Sequence, residues 1–127
     1  MIIHTQRLCL RPWSDADAPA LFELARDPRI GMLCGWKPFE LIDDAREALS
    51  TVLVANDSYA VTLASTGEIV GSIALRIDTD SPEATVADIG YWIGVPYWGN
   101  GYATEAGRAI IERAKELGVE TIILKYF

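Results

Sequence analysis

The chain has 127 residues, of which 50% are hydrophobic and 23% charged, and its 11 basic and 18 acidic residues give a net charge of −7. These values are typical of a single globular domain over residues 1–127, and the acidic balance argues against a nucleic-acid partner, which requires a basic surface. No apolar run is long enough to span a bilayer and the N-terminus lacks the layout of a signal peptide, so we expect a cytoplasmic protein with no membrane partner.

Cysteine and histidine usage argues against metal sites and nucleophilic triads. The two cysteines, Cys9 and Cys34, have a spacing that matches no zinc or thioredoxin motif. His4 is the single histidine, and a catalytic triad built on it would have to use the N-terminal end of the chain. We therefore predict no metal site.

The chain begins with a predicted strand followed by a helix. Residues 7–13 alternate in polarity, with Leu8 and Leu10 on one face, as in a half-buried strand. Ser14 and Asp17 then have the spacing of a capping box, which marks the start of a helix. Proline at position 28 predicts that this helix ends near residue 27.

The middle of the chain is predicted to form a loop, a second helix and three strands. Residues 28–40 contain two glycines and two prolines and are predicted to form a loop. Apolar residues at helical spacing predict the second helix from about Phe39 to Val54. Two β-rich runs at 59–63 and 69–77 flank a turn and predict a hairpin, and residues 85–95 predict another strand.

A third helix and a last strand complete the predicted order. Ala106, Ile110 and Ala114 recur every four residues, which predicts an amphipathic helix that Gly118 ends. Residues 119–127 are apolar and β-rich. The predicted order is β-α-α-β-β-β-α-β, an α+β (mixed α/β) fold.

The stretch WGNGYATEA at 98–106 joins the fourth predicted region of β-structure to this helix. Asn100-Gly101 is a common hairpin turn, but the residues that follow have helical period and propensity, so the returning strand is missing. A strand, a glycine-rich turn and a helix N-terminus together favour an anion, because unpaired N–H groups and the helix dipole point at it. The dinucleotide fingerprint is not met at Thr104, and a Walker loop is absent.

Two segments in the right order resemble the GCN5-related N-acetyltransferases (GNAT). They are TQRLCLRPWSDADAPALFELARDP at 5–28 and IGYWIGVPYWGNGYATEA at 89–106. More narrowly, the chain resembles the branch that acetylates ribosomal-protein N-termini and its relatives. The resemblance implies a central, mostly antiparallel sheet whose fourth and fifth strands, at 85–95 and 119–127, pair in parallel.

The resemblance also implies a site for acetyl-CoA, the acyl-donor co-substrate. Backbone N–H groups of six consecutive residues would hold the CoA pyrophosphate: Gly99, Asn100, Gly101, Tyr102, Ala103 and Thr104. Trp98 stands where the wider family has Gln or Arg. Strand backbone near Ile93 would pair with the pantetheine arm and provide the donor for the developing oxyanion.

Other site residues are expected from the direct attack of an amine on the thioester. The amine must lose a proton, and Asp88 is the candidate base, directly or through water; a solvated carboxylate at a strand start is the alternative. Trp36, Phe39 and Tyr91 are candidates for acceptor binding, although Trp36 and Phe39 would also suit lid packing. Glu105, in the first turn of the helix, fits the helix dipole without a further role.

Family members normally continue beyond a strand such as 119–127 with another helix and closing strands. From their absence in this sequence we expect an incomplete domain and an exposed edge, hence a homodimer or a strand-exchanged oligomer. Three functions follow: an N-acetyltransferase acting on a primary amine, a non-catalytic acyl-CoA-binding or self-associating module, and an interaction domain whose glycine turn binds nothing.

Overall fold

The computed structural model describes residues 2–30, 39–51, 58–77, 86–119 and 121–125. Its strands are β1 (Ile3–His4), β2 (Leu8–Pro12), β3 (Ser58–Leu63), β4 (Ile69–Ile77), β5 (Val86–Ile93) and β6 (Thr121–Lys125). Its helices are α1 (Ala18–Ala25), α2 (Ile42–Thr51) and α3 (Tyr102–Glu116), with 3₁₀ turns at Asp15–Asp17 and Val95–Tyr97. Cys34 and Trp36 lie outside the described residues.

The six strands form one sheet in the order β1-β2-β3-β4-β5-β6. Neighbouring strands are antiparallel from β1 to β5, and β5 pairs with β6 in parallel. β1 was not predicted, and counting it makes the fourth and fifth predicted strands β5 and β6. The α+β architecture expected from the sequence is confirmed.

Each face of the sheet carries its own core. On one side α3 packs over the sheet, and we call this cluster the α3 core; its members include Leu8, Leu10, Ile73, Ile89, Ala106, Ile110 and Ala114. On the other side α1 and α2 pack together, and this cluster, the α1–α2 core, includes Trp13, Leu21, Leu24, Ala45, Leu49, Ala60 and Trp92. The alternation of strand side chains distributes neighbouring residues between the two cores.

The ends of α1 and α3 follow their local signals. Ser14 N–H donates to Asp17 Oδ2 at 2.8 Å, which confirms the capping box, and Arg11 binds the same carboxylate through two nitrogens, each at 2.8 Å. Gly118 has φ +81°, and Val119 N–H donates to Ala114 O at 3.1 Å. This is the Schellman arrangement that a C-terminal glycine predicts.

One loop prediction was wrong. α1 ends at Ala25, close to the expected boundary, but residues 28–30 are helical rather than part of a loop. Proline is tolerated in the first turn of a helix, because its missing N–H would have no intrahelical partner there. Within the described residues, no helix is long and apolar enough to cross a membrane.

The end of β5 is crowded by two neighbouring elements. A Cβ added at Gly71 of β4 would lie 2.3 Å from Trp92 O. A Cβ added at Gly94 would lie 2.6 Å from Leu24 Cδ2 of α1. The strand end is therefore held closely between β4 and α1, and the glycines make this approach possible.

Gly71→Ala is expected to lower the free energy of unfolding by about 1–3 kcal/mol, since the added methyl group meets backbone that cannot turn aside. Gly107→Ala is the matched control: it lies inside α3, a Cβ there has no heavy atom within 4 Å, and the change should add about 0.5–1 kcal/mol. Urea unfolding at constant m-value measures both. Equal stability of Gly71→Ala and the original chain would contradict the close contact.

Candidate functional site

A glycine-rich loop connects the end of β5 to the start of α3. Gly99 has φ +83° and Gly101 has φ +78°, in the left-handed region that residues with a Cβ rarely adopt. The side-chain amide of Asn100 donates to Tyr97 O at 3.0 Å and closes the turn. The loop is therefore a defined turn into a helix, which confirms the helix rather than a hairpin after Gly101.

Backbone N–H groups without an intrahelical acceptor lie where the loop meets the start of α3. Gly101 is the N-cap of α3 and makes no side-chain cap, and the first intrahelical bond runs from Glu105 N–H to Gly101 O at 3.1 Å. The N–H groups of Tyr102, Ala103 and Thr104 accordingly have no intrahelical acceptor. Together with the positive end of the helix dipole, they form a site that suits an anion such as a phosphate.

Contacts between Thr5, Arg7 and Glu105 hold the loop against the N-terminal part of the chain, and they include an ion pair between Arg7 and Glu105. We call these three residues the Arg7–Glu105 clamp. Glu105 Oε1 accepts from Arg7 Nε at 2.7 Å, while Glu105 Oε2 accepts from Arg7 backbone N–H at 2.8 Å and from the Thr5 hydroxyl. Arg7 Nη1 also donates to Asn100 O at 2.8 Å, and the guanidinium lies 4.9 Å from the centre of the Tyr102 ring.

The clamp sets the ionisation of Glu105. Burial of this carboxyl group opposes the charged form, but the hydrogen bonds from Thr5 and Arg7 and the positive charge of Arg7 outweigh it, so the pKa of Glu105 lies below its ordinary value of 4.5. The sequence predicts only a helix-dipole role for Glu105 and no role for Arg7. Alternation in residues 7–13 predicts only that Arg7 lies on the strand face opposite Leu8 and Leu10, and no local pattern pairs residues so far apart in sequence.

Ile93 lies where β5 gives way to the loop. Its side chain is buried, and its carbonyl accepts from the indole N–H of Trp98 at 2.6 Å. Gly94 N–H donates to Val70 O at 2.8 Å, which continues the β4–β5 pairing by one residue. The indole of Trp98, 46% exposed, therefore covers the backbone expected to meet the pantetheine arm.

The side chains of β5 divide the remaining predicted site residues between the two faces of the sheet. Ile89 belongs to the α3 core and Tyr91 packs against it. Asp88 and Trp92 alternate with these two and face the α1–α2 side, where Trp92 is part of the core. Asp88 is half-buried, with Oδ1 shielded from solvent.

Phe39 also packs against the α1–α2 core, so Asp88 and Phe39 lie on the same side of the sheet and Tyr91 lies on the other. Asp88 precedes Ile93 by five residues, which is roughly 17 Å along a strand. Across the described ranges, no group of three or more His, Cys, Asp or Glu side chains is arranged to hold a metal ion.

Comparison with known proteins places this geometry in a family. The family model described as acetyltransferase (GNAT) domain matches residues 7–127, and the chain belongs to this family. Members of the family are acetyltransferases. The GNAT resemblance inferred from two sequence segments is thus confirmed.

Three similar proteins illustrate the match. The chain is 28% identical over 119 residues to the uncharacterized N-acetyltransferase p20 of Bacillus licheniformis, covering 87% of this chain and 64% of p20. A GNAT-family acetyltransferase from Bacillus anthracis superposes with a TM-score of 0.84 at 25% identity, covering 98% of this chain and 72% of that protein. A Vibrio cholerae protein assigned provisionally as a ribosomal-protein-serine acetyltransferase gives a TM-score of 0.78 at 26% identity, with the same coverage.

The chain spans 60–64% of the length of the first curated relatives that it matches.

Glu105→Gln is expected to lower the free energy of unfolding at pH 7 by about 1–2 kcal/mol, because the hydrogen bonds to a charged acceptor are lost and the 45% exposure of Arg7 leaves them partly screened. The pKa of Glu105 is lowered by folding. The contribution of its carboxylate is therefore complete above its ordinary pKa and is lost as pH falls through the lowered value.

The difference between Glu105→Gln and the original chain should accordingly shrink as the pH is lowered below about 4.5. Denaturant unfolding from pH 3 to pH 7 measures this, with Glu112→Gln as control, because Glu112 is 71% exposed and pairs with Lys115 alone among the described residues. A difference that is the same at every pH would show that the charge of Glu105 does not hold the clamp.

Proposed function

We propose that this chain binds acetyl-CoA and transfers the acetyl group to a primary amine, by direct attack of the amine on the thioester. The observation that carries the proposal is the loop with two left-handed glycines at the uncapped start of α3, in a chain that matches the GNAT family model from residue 7 to residue 127.

The proposed pyrophosphate site is the run of six backbone N–H groups at 99–104. The three at the helix start have no intrahelical acceptor, and the absence of side chains at Gly99 and Gly101 lets a phosphate approach the backbone closely. Thr104 is exposed and adds a hydroxyl donor. The helix dipole favours the negative charge of the pyrophosphate.

The pantetheine arm is proposed to run along the end of β5 near Ile93. The Ile93 carbonyl already accepts the Trp98 indole N–H at 2.6 Å. We therefore propose that Trp98 moves aside when the arm pairs with this backbone, which would change its fluorescence. A backbone N–H near Ile93 is the proposed oxyanion donor.

Asp88 is proposed as the general base. The attacking amine must be neutral, and a lysine amine titrates near 10.4 and an α-amine near 8, so a proton has to be removed. Because Asp88 lies roughly 17 Å along the strand from Ile93, it is proposed to take the proton of the ammonium group through intervening water. The neutral nitrogen then bonds to the thioester carbonyl carbon, collapse of the tetrahedral intermediate breaks the C–S bond, and the CoA thiolate takes the proton that the nitrogen gives up. The position of Asp88 on the α1–α2 side of β5, with Oδ1 shielded from solvent, supports its role as the base.

The acceptor is proposed to enter from the α1–α2 side, where Phe39 lies near the same core as Trp92. Trp36 stays a proposal of the sequence alone. Tyr91 faces the α3 core, so its placement supports a role beside the CoA arm more than contact with the acceptor. The similarity to the Vibrio cholerae protein supports a protein as acceptor, and the net charge of −7 favours a cationic one.

A cytoplasmic location and self-association are also proposed. Among the described strands β6 is the last in the sheet order, and such an edge can pair with a second copy. Light scattering that finds a monomer at micromolar concentration would contradict self-association. The second candidate function, a non-catalytic acyl-CoA-binding module, rests on the loop geometry alone and requires no base.

Addition of acetyl-CoA at one hundred times its Kd is expected to stabilise the fold by about 2.7 kcal/mol. Thermal unfolding with and without millimolar acetyl-CoA measures this, with sodium sulfate at equal ionic strength as the control. An unchanged melting temperature would contradict CoA binding and would favour an interaction domain whose glycine turn binds nothing. Stabilisation without release of free thiol across a panel of amines would favour the non-catalytic module.

Asp88→Asn is expected to lower kcat by about 10²–10⁴-fold, the range of general base catalysis, while the Kd for acetyl-CoA stays unchanged. Asp15→Asn serves as the control, because Asp15 is exposed at the N-terminal side of α1 and has no part in the proposed site. Thiol release gives kcat, and tryptophan fluorescence gives the Kd. An unchanged kcat would remove Asp88 from the mechanism.

A further inference from the structure

The side chain of Arg7, the residue before β2, reaches the glycine loop. Its Nη1 donates to Asn100 O at 2.8 Å, and its Nη2 lies 3.5 Å from the position that a Cβ would occupy at Gly101. The same guanidinium binds Glu105 through Nε at 2.7 Å and covers the Tyr102 ring. One side chain therefore lies against Asn100, Gly101 and Tyr102, three consecutive residues of the proposed pyrophosphate site, and also binds Glu105.

The bond to Asn100 O fixes the direction of a neighbouring N–H. In a planar trans peptide the carbonyl oxygen and the amide hydrogen point in opposite directions. Asn100 O and Gly101 N–H belong to the same peptide group. Because Arg7 holds the oxygen on its own side, Gly101 N–H points away from the guanidinium, toward the opposite side of the loop.

We propose that Arg7 is a positioning residue for the CoA pyrophosphate: it orients the Asn100–Gly101 peptide so that Gly101 N–H faces the bound phosphate. The proposal rests on the proposed function of the loop. Glu105 holds Arg7 in place, since the Nε bond and the backbone bond at 2.8 Å leave the guanidinium little freedom. Arg7 itself acts through the peptide and makes no contact with the ligand.

Two observations distinguish the orientation of the peptide by Arg7 from attraction of the phosphate by its positive charge. Glu105 balances the charge of Arg7, so the pair adds little net positive charge to the loop. The arrangement also requires two donors on one side chain, because Nε donates to Glu105 while Nη1 donates to Asn100 O. A lysine keeps the charge but cannot make both bonds in this arrangement.

The test compares CoA binding to the full chain and to Arg7→Lys, Arg7→Ala and Arg46→Ala by calorimetry. Both Arg7 variants are expected to raise the Kd about tenfold to a hundredfold, as the loss of one hydrogen bond to a charged group predicts. Arg46→Ala removes the same charge from α2, where Arg46 pairs with Asp43, and should leave the Kd unchanged. An Arg7→Lys variant that binds CoA as tightly as the original chain overturns the proposal.

Amide spectra of ¹⁵N-labelled protein without ligand give a second readout, which a loss of overall structure would not produce. In Arg7→Lys the Gly101 resonance should shift, while those of Gly107 and Gly118, at the middle and end of α3, should stay in place. Movement of all three, or of none, overturns the local role of Arg7. If the original chain does not bind CoA, the proposed function fails, and the shift of Gly101 alone then still decides whether Arg7 orients the peptide.

Discussion

The carboxylate of Glu105 is the group on which the arrangement of the site depends. It accepts hydrogen bonds from Thr5 and from two nitrogens of Arg7, and so joins the first turn of α3 to the N-terminal strands. Arg7 in turn reaches the carbonyl of Asn100. Because the loop's two glycines have the widest conformational freedom of any residue, a turn built from them needs an external restraint to keep its N–H groups aimed in one direction. The clamp provides that restraint.

The second constraint is the close packing at the end of β5. Gly71 and Gly94 let β4 and α1 approach this strand end to distances at which a side chain would collide with neighbouring atoms. This packing fixes the position of the end of β5, and therefore the position at which the loop and α3 begin. The alternation of β5 then gives the two faces different tasks in the proposed enzyme. Tyr91 lies on the side of the helix and its anion site, and Asp88 lies on the side of α1 and α2, where an amine could enter.

Much of the fold could be predicted, because the signals are local. Helical spacing of Ala106, Ile110 and Ala114 identified α3, and Gly118 marked its end. Two elements escaped prediction for physical reasons. β1 has two residues, too few to show a period, and it exists because β2 pairs with it. Residues 28–30 begin a helical turn with Pro28, a residue that also ends helices, and the sequence alone does not distinguish the two uses.

The sequence by itself determined the order of the longer elements, the position of the glycine loop at a helix start, and membership of the GNAT family, because each depends on residues close together in the chain or on motifs in fixed order. The tertiary structure alone decided which side chains meet. Arg7 and Glu105 are separated by most of the chain, and their contact exists because β2 lies under the start of α3 in the folded sheet. The tertiary structure also decided which side of the sheet Asp88 and Tyr91 face. Alternation places the two side chains on opposite sides but does not say which helix covers each side. Packing against α1 and α2 on one side and α3 on the other supplied that choice.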